Sequence, residues 1–216
     1  MSGEPRRLVT VLLVDDHAVV REGYRRLLER AGDIAVVGEA GDADAAHAAF
    51  QDLAPDLVVM DITLPGASGI EAMRRMLALK RDTRVLMFSM HEEPIFAQRA
   101  LRAGAYGYVT KASAPGVLVE AVHTVAAGRK YLTPEMAQRL ALGNAAAEPE
   151  VGETLSVREF DVLRLLVKGL SVQDIAFALG LNAKTVANHQ SAIRQKLGVD
   201  TAIALLRKAG SMGITP

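Results

Sequence analysis

The stretch Leu8-Val-Thr-Val-Leu-Leu-Val-Asp-Asp16 determines the predicted fold. Seven consecutive apolar or β-branched residues are typical of a strand buried on both faces, and two carboxylates end the run. The next segment, residues 17–31, carries apolar side chains at helical spacing: Val20, Tyr24, Leu27, Leu28 and Ala31. A buried strand followed by an amphipathic helix is the repeating unit of a parallel α/β sheet.

The same alternation of strand and helix continues to about residue 130. The predicted strands are 34–40, 57–60, 85–88 and 106–109, and the predicted helices are 42–53, 70–80, 94–103 and 115–127. Five short buried strands, each followed by a helix, require a parallel sheet with helices on both faces. The predicted fold class is therefore α/β, with a doubly wound, five-stranded parallel sheet.

The C-terminal part of the chain shows helical patterns only. We predict an α/β domain over residues 1–130, a linker over 131–153 and a small all-α domain over 154–216. The linker contains one short predicted helix, 134–142, before a stretch rich in Ala, Pro and Gly. The predicted helices of the last domain are 157–168, 172–179, 183–197 and 201–208, with capping boxes that begin at Ser156 and Ser171 and stops at Gly169 and Gly180.

Composition excludes several classes of function. The 216 residues include no Cys, so disulfides, thiolate zinc sites, iron–sulfur clusters and cysteine nucleophiles are absent. The net charge is zero, but residues 153–216 hold eight basic and five acidic residues and form the basic part. The apolar run 8–14 is too short to span a membrane and no small-residue cleavage site follows it. We expect a cytoplasmic protein with no membrane association.

Polar side chains end four of the predicted strands. Because the carboxyl ends of parallel strands meet at one edge of a sheet, these residues should converge there. Three carboxylates at one site repel each other unless a cation lies among them, and oxygen ligands suit Mg²⁺. A single strand-end Asp is usually a helix cap, whereas the whole set indicates a site for placing a phosphoryl group on a carboxylate. The set is Asp15, Asp16, Asp61, Ser89, Thr110 and Lys111.

These residues resemble the receiver domain of two-component response regulators, which has a flavodoxin-like fold. The resemblance implies that Asp61 is the phosphoacceptor and that Ser89 and Lys111 contact the phosphoryl group. It further implies that Mg²⁺ is held by Asp15, Asp16, Asp61 and the backbone carbonyl of Thr63, that Tyr108 moves with the switch hydroxyl of Ser89, and that Thr63 and His91 tune the phosphoryl lifetime. Many receivers have proline after the lysine, where this chain has Ala112. From the residues alone, His17 and His91 are surface or loop histidines.

The predicted helix 183–197 has two different faces. Its core face carries Val186, His189, Ile193 and Leu197. Its other face carries Lys184, Ala187, Asn188, Ser191, Arg194 and Gln195. Short hydrogen-bonding side chains with basic residues at both ends suit a helix that reads the major groove of DNA. On composition alone, an ordinary solvated helix face explains them equally well.

The motifs around this helix resemble the LuxR-type DNA-binding domain. They are Leu155-Ser-Val-Arg-Glu159, 162–171, Asp174-Ile-Ala176, Lys184-Thr-Val186, His189 and Lys196-Leu-Gly-Val199. A receiver followed by this domain is similar to the NarL/FixJ class of transcription regulators, and 121–128 with 131–134 resemble its UhpA-like members. The resemblance makes His189 a packing residue and implies DNA contacts by Lys184, Thr185, Ala187, Asn188, Ser191 and Arg194.

The sequence therefore predicts a phosphorylation-dependent, DNA-binding transcription regulator and not an enzyme. The resemblance implies a sensor histidine kinase, promoter DNA and RNA polymerase as partners, and an active homodimer to which helix 201–208 contributes. The unphosphorylated receiver either covers the recognition helix or keeps the protein monomeric. Two alternatives stay open: a metal-dependent phosphotransferase or phosphatase with a helical interaction module, and a regulator that keeps the pocket but works without phosphorylation.

Overall fold

The computed structural model describes residues 8–65, 67–143, 155–211 and Ile214. The chain divides into two compact units after Leu142. Residues 144–153 of the predicted linker lie outside the described residues.

The first unit is built on one parallel sheet. Its strands are β1 (Val9–Val14), β2 (Ile34–Ala40), β3 (Leu57–Met60), β4 (Val85–Ser89), β5 (Gly107–Thr110) and β6 (Tyr131–Leu132). Its helices are α1 (Ala18–Glu29), α2 (Ala43–Leu53), α3 (Gly69–Leu79), α4 (Pro94–Arg102), α5 (Pro115–Ala126) and α6 (Pro134–Gly143). The strand order is β2-β1-β3-β4-β5-β6. The doubly wound parallel sheet predicted from the sequence is confirmed.

The prediction of five strands was wrong, because the sheet has a sixth strand in the segment that we assigned to the linker. In β6, Tyr131 pairs with Gly107 and Leu132 with Tyr108 in the parallel direction. A Cβ atom on Gly107 would lie 2.7 Å from the backbone oxygen of Tyr131, so glycine permits this close approach. Two residues are too few to show a period of hydrophobicity, which is why the pattern does not reveal this strand.

Both faces of the sheet are covered. On one face, buried residues of β1, β3 and β4 pack with Leu28 of α1 and with Leu118, Val122 and Val125 of α5. The alternate strand residues, among them Leu12, Val58 and Met87, are also fully buried. Near-continuous apolar strands are the expected result of burial on two sides.

The second unit is helical. It contains α7 (Val157–Val167), α8 (Val172–Leu179), α9 (Ala183–Leu197) and α10 (Ala202–Ser211). Both predicted capping boxes are present, Ser156 with Glu159 and Ser171 with Asp174. Gly180 ends α8 in the left-handed conformation, with φ of 64°. In the part of the chain that the structure describes, no helix is both long and apolar enough to cross a bilayer.

Candidate functional site

Backbone hydrogen bonds between strands bring the predicted pocket residues to one edge of the sheet. The N–H of Asp61 donates to the carbonyl of Val14 at 2.9 Å, directly before Asp15. The N–H of Lys111 donates to the carbonyl of Ser89 at 2.8 Å. The ends of β1, β3, β4 and β5 therefore place Asp15, Asp61, Ser89 and Lys111 together, as predicted from their strand-end positions.

The ammonium group of Lys111 bridges two carboxylates. Its Nζ donates to Oδ2 of Asp61 at 2.6 Å and also to Oδ2 of Asp15. All three side chains are at most 6% exposed. Buried charges require such pairing, because an unpaired ion in the interior is strongly disfavoured.

Burial and pairing act in opposite directions on these groups. Burial raises the pKa of Asp61 above its usual value, and the charge and hydrogen bond of Lys111 offset that rise only in part. Burial alone would lower the pKa of Lys111, but Asp61 and Asp15 hold it above its ordinary value. Two carboxylates share one ammonium group, so the pocket favours further positive charge.

Asp16 extends the acidic cluster toward solvent, together with His17. Nδ1 of His17 lies 2.7 Å from Oδ1 of Asp16, and the N–H of His17 donates to Oδ1 of Asp15 at 2.9 Å. One potential ligand atom from each of the three residues lies within 4.8 Å of the others. The carboxylate oxygens fit Mg²⁺, which prefers such ligands and retains several waters. The imidazole of His17 is exposed, as the sequence predicted, but it contacts both carboxylates.

Thr63 and His91 form one wall of the pocket. The N–H of Thr63 donates to Oδ1 of Asp61 at 3.2 Å, and Thr63 Oγ1 lies 3.2 Å from Nε2 of His91. The His91 ring stacks on Phe96 with 4.0 Å between ring centroids. His91 lies on the loop after β4, as one of the two predicted alternatives has it, but at 6% exposure it is buried and not a surface histidine. The aromatic stacking partner lies on the following helix, and the pattern of hydrophobicity does not show it.

Ser89 and Tyr108 are fully buried beside this wall. The hydroxyl of Ser89 accepts a hydrogen bond from the N–H of His91 at 3.3 Å. The phenol of Tyr108 donates to the carbonyl of His91 at 2.7 Å. Burial raises the pKa of Tyr108 far above its ordinary value, so the phenol is neutral and acts as a donor. Both side chains are thus connected to the loop that follows β4.

A close backbone approach holds Asp61 in place. A Cβ atom on Gly69 would lie 1.8 Å from the backbone oxygen of Asp61, and the N–H of Gly69 donates to the carbonyl of Ile62 at 2.8 Å. Any other residue at position 69 would displace the backbone of Asp61 or the start of α3. The pattern of hydrophobicity does not show this close approach. A glycine eight residues after the pocket aspartate is the signal that could have revealed this contact.

The described residues around Lys111 contain no cis peptide bond, so the bond from Lys111 to Ala112 is trans. The carbonyl of Ser89 accepts a hydrogen bond from the N–H of Lys111. Lys111 therefore lies at the carboxyl end of β5 with alanine as the next residue.

The predicted recognition helix, α9, has one buried and one exposed face. Val186, Ile193 and Leu197 are buried, whereas His189 is only partly buried. Lys184, Ala187, Asn188 and Ser191 are exposed, and Thr185 and Arg194 are partly exposed. Asn182 caps the helix by accepting from the N–H of Thr185 at 2.8 Å. The helix therefore presents most of the predicted DNA-contacting residues to solvent.

Two hydroxyl groups on this helix are bonded within it. Oγ1 of Thr185 donates to Oδ1 of Asn182 at 2.9 Å, and Oγ of Ser191 donates to the carbonyl of Ala187 at 3.0 Å. The amide of Asn188 and the ammonium of Lys184 project from the exposed surface. Asn188 thus offers paired donor and acceptor atoms, the chemistry that reads adenine in the major groove.

A half-buried ion pair, with Glu159 buried and Lys196 partly in solvent, joins α9 to α7. Nζ of Lys196 donates to Oε2 of Glu159 at 2.7 Å, and the same oxygen accepts from the N–H of Ser156 at 2.6 Å. Burial alone would raise the pKa of Glu159, but the hydrogen bonds from Lys196 and Ser156 hold it below its ordinary value. Lys196 was identified by sequence only as part of a motif.

Two family models match the chain. The response regulator receiver domain matches residues 11–123, and the luxR family of bacterial regulatory proteins matches residues 153–209. Among known proteins, the chain is similar to the transcriptional regulatory protein UhpA of Escherichia coli K12. The two are 37% identical over 201 residues, which cover 93% of this chain and 97% of UhpA.

Solved structures of RcsB are similar over nearly the whole chain. One shows RcsB from Salmonella enterica serovar Typhimurium bound to the promoter rprA in the presence of the phosphomimetic BeF3-. It is 28% identical with a TM-score of 0.61, covering 94% of this chain and 99% of that chain. Another shows two RcsB dimers bound to two parallel DNAs, at 27% identity and a TM-score of 0.60, covering 95% of this chain and 99% of that chain.

Proposed function

This chain belongs to the NarL/FixJ response regulators, which join a receiver domain to a LuxR-type DNA-binding domain, and from that premise we propose that phosphorylation of Asp61 controls promoter binding. The observation that carries the proposal is the contact of Lys111 Nζ with Asp61 Oδ2 at 2.6 Å, inside a pocket with two further carboxylates. The regulator acts as a switch and not as an enzyme with its own substrate.

The phosphoryl donor is a sensor histidine kinase. One carboxylate oxygen of Asp61 forms the new O–P bond, the N–P bond of the donor's phosphohistidine breaks, and the imidazole nitrogen retains the electron pair. Lys111 holds the carboxylate in place and then pairs with a phosphoryl oxygen. Asp15 also contacts this ammonium. We assign Asp15 to the metal site and not to the phosphoryl group, because it forms one acidic cluster with its neighbour Asp16, which extends toward solvent.

The residues present fit a bound Mg²⁺. Its ligands would be Asp15, Asp16, Asp61 and the backbone carbonyl of Thr63, and water would fill the remaining positions. When bound, the ion would neutralise the charge of the phosphoryl oxygens. The support is the chemistry of the donor set: Asp15 and Asp16 are neighbouring carboxylates at one strand end, and Asp61 shares the ammonium of Lys111 with Asp15.

Phosphorylation then shifts the receiver between two states. Ser89 donates its hydroxyl to a phosphoryl oxygen, and Tyr108 moves with it because both contact the backbone of His91. A phosphoryl group favours the state in which it gains these contacts. Thr63 and His91 govern the access of water to the phosphoryl group, and so its lifetime, because their side chains meet at the wall beside Asp61.

The activated protein binds promoter DNA as a homodimer. The proposed contacts are made by Lys184, Thr185, Ala187, Asn188, Ser191 and Arg194 of α9. One short recognition helix offers limited affinity, and two half-sites raise it. We assign α10 to the dimer contact, because Ile203 and Leu206 are exposed on it. RNA polymerase is the further partner of a promoter-bound regulator, and the cytoplasm is where kinase domain and DNA are both accessible.

Domain boundaries follow from this assignment. The receiver occupies residues 1–130, the linker 131–153 and the DNA-binding domain 154–216. The strand β6 and nearly all of the helix α6 lie in the linker stretch but belong to the first compact unit, which extends to Leu142, and β6 pairs with β5.

The first test is the intact mass of the wild type and of Asp61→Asn after incubation with Mg²⁺ and a small acyl phosphate. We expect the wild type alone to gain one phosphoryl group. A gain in both proteins would move the acceptor to another residue. If neither protein gains mass, the same pair is incubated with phosphorylated histidine kinase domains, and failure there contradicts the proposal.

DNA binding is the second test. Wild type treated with the acyl phosphate should bind a selected DNA site more tightly than untreated protein, with strong dependence on salt. Equal binding with and without treatment, retained in Asp61→Asn, would favour a regulator that works without phosphorylation. Phosphorylation without binding to any selected DNA would favour a phosphotransferase.

A further inference from the structure

Arg21 of α1 contacts the backbone at the acidic end of β1. Its Nη1 donates to the carbonyl oxygen of Asp15 at 2.6 Å. That carbonyl belongs to the peptide group that joins Asp15 to Asp16. The side chain of Arg21 is 18% exposed, so the contact is largely shielded from water. A charge-assisted hydrogen bond in such surroundings is stronger than an ordinary backbone bond.

This contact fixes the plane of the peptide between the two carboxylate residues. The N–H of Asp15 already donates to the carbonyl of Ala40 at 3.1 Å, so Arg21 completes the pairing of Asp15's backbone. A hydrogen bond that restrains that peptide plane also restricts ψ of Asp15 and φ of Asp16, and so narrows the range of relative directions that their Cα–Cβ bonds can take. Mg²⁺ demands nearly ideal octahedral geometry, so the relative direction of two ligands affects its affinity directly.

Glu39 holds the guanidinium in place and balances its charge. Its Oε2 accepts from Nε of Arg21 at 3.2 Å, while its Oε1 accepts from Nη1 of Arg25 at 3.1 Å. Glu39 lies on β2, the strand next to β1. Because the Arg21 charge is neutralised by this carboxylate, it adds little repulsion to a cation at Asp15 and Asp16. The planar fork of arginine allows both bonds at once.

We propose that Arg21 is a positioning residue for the metal site: through the carbonyl of Asp15 it orients the carboxylates of Asp15 and Asp16 toward one cation. The inference rests on the proposed magnesium site. Arg25 provides the matched comparison. It lies on the same helix and pairs with the same Glu39, but its hydrogen bonds go to the carboxylates of Glu29 and Glu39 and not to the backbone of Asp15.

The test compares Arg21→Met with Arg25→Met in the full-length, untagged, unphosphorylated chain. Methionine keeps an apolar stem of similar length and removes every donor. Mn²⁺ serves as the probe, because it shares the oxygen-ligand preference of Mg²⁺ and its free concentration is measured by electron paramagnetic resonance. A second readout is the Mg²⁺ concentration that gives half-maximal phosphorylation by an acyl phosphate, compared with the rate at saturating Mg²⁺.

We expect Arg21→Met to weaken Mn²⁺ binding about tenfold, in the range observed for residues that orient metal ligands. Its half-saturating Mg²⁺ concentration should rise by a similar factor, while the rate at saturation stays near wild type. Arg25→Met should stay within about twofold of wild type in both. A loss of structure alone would lower the saturated rate instead of shifting half-saturation.

Unchanged Mn²⁺ affinity in Arg21→Met, or an equal loss of affinity in both variants, would overturn the inference. The hydrogen bond to the Asp15 carbonyl would then make no separate contribution to metal binding. Failure of the wild type to bind Mn²⁺ would overturn the metal site itself, and the inference with it. If Arg21→Met does not fold, Arg21→Lys replaces it. Lysine keeps the charge but lacks the fork that binds Glu39 and Asp15 together, so weaker binding is again expected.

Discussion

Lys111 and Asp61 form a buried ion pair, with Nζ 2.6 Å from Oδ2 and both side chains at most 6% exposed. The same ammonium also pairs with Asp15, so two carboxylates share one positive charge and one negative charge stays uncompensated. A bound cation would relieve this imbalance, and a phosphoryl group on Asp61 would compete with Asp15 for the ammonium. Loss of the lysine should therefore lower the stability of the fold, and bound Mg²⁺ should restore part of that stability.

The first prediction concerns Lys111→Met. Removal of the ammonium leaves two buried carboxylates without a counterion, which should cost about 3–5 kcal/mol of unfolding free energy in the absence of metal. Saturating Mg²⁺ should restore part of this loss, because an ion that binds only the folded state stabilises it. Urea denaturation with and without Mg²⁺ measures both effects. Equal stabilisation of wild type and variant by Mg²⁺ would contradict the shared-counterion argument.

The second prediction concerns Gly69→Ala. The added Cβ would lie 1.8 Å from the backbone oxygen of Asp61, so the chain must shift at the proposed phosphoacceptor. We expect phosphorylation by an acyl phosphate to slow by about tenfold or more, since displacement of a reacting group by about 1 Å has cost as much as 100-fold elsewhere. The initial rate of mass gain measures this.

Gly23→Ala is the matched control for that substitution. A Cβ on Gly23 would meet no atom within 4 Å, and the residue lies inside α1. Alanine there should raise the unfolding free energy by about 1 kcal/mol and leave phosphorylation unchanged. If both glycine variants phosphorylate at the wild-type rate, the close approach of Gly69 does not hold Asp61.

Strand-end positions made most of the pocket predictable, and through-space contacts account for what was missed. Asp15, Asp61, Ser89 and Lys111 could be placed together because parallel strands end at one edge. Nothing in a linear pattern says that Arg21 turns back to the carbonyl of Asp15, or that His91 is covered by a ring from α4. Such contacts depend on how neighbouring elements pack, and one sequence carries no periodic signal for them.

The helical domain shows the same division. Capping boxes are local motifs, so Ser156 and Ser171 could be identified as helix starts from residues three positions apart. The ion pair of Glu159 with Lys196 joins residues 37 positions apart, so no local motif predicts it. The exposed face of α9 followed from its period of hydrophobicity, whereas the choice between DNA reader and solvated face required the family match.

The third prediction concerns the pH dependence of the Glu159–Lys196 pair. The pKa of Glu159 is lowered in the folded protein, so the pair stabilises the fold above the unfolded value of about 4.3. This contribution disappears as the pH falls through the lowered folded pKa. In Lys196→Met the pKa of Glu159 should rise, because the burial that remains favours the neutral acid.

A titration of the Glu159 carboxyl carbon by NMR measures that shift in wild type and variant. Amide hydrogen exchange in α9, compared at pH 7 and near pH 3, follows the stability. We expect wild type to lose more protection on acidification than Lys196→Met does. Lys184→Met is the control, because it removes an exposed lysine at the start of the same helix. The Glu159 carboxyl of this variant should titrate as it does in wild type. A wild-type Glu159 with an ordinary pKa would contradict this reading of the pair.

The fourth prediction separates base reading from phosphate contact on α9. The exposed amide of Asn188 can donate to and accept from one adenine, so Asn188→Ala should cost about 1–3 kcal/mol on a DNA site selected by the phosphorylated chain. On unrelated DNA it should cost nothing. Lys184→Ala should weaken binding on every sequence and reduce the slope of log affinity against log salt by about 1. Gln173→Ala, exposed on α8, is the control and should leave both affinities unchanged. Fluorescence anisotropy at several salt concentrations measures all three variants, and an equal loss for Asn188→Ala on all DNA would make it a phosphate contact instead.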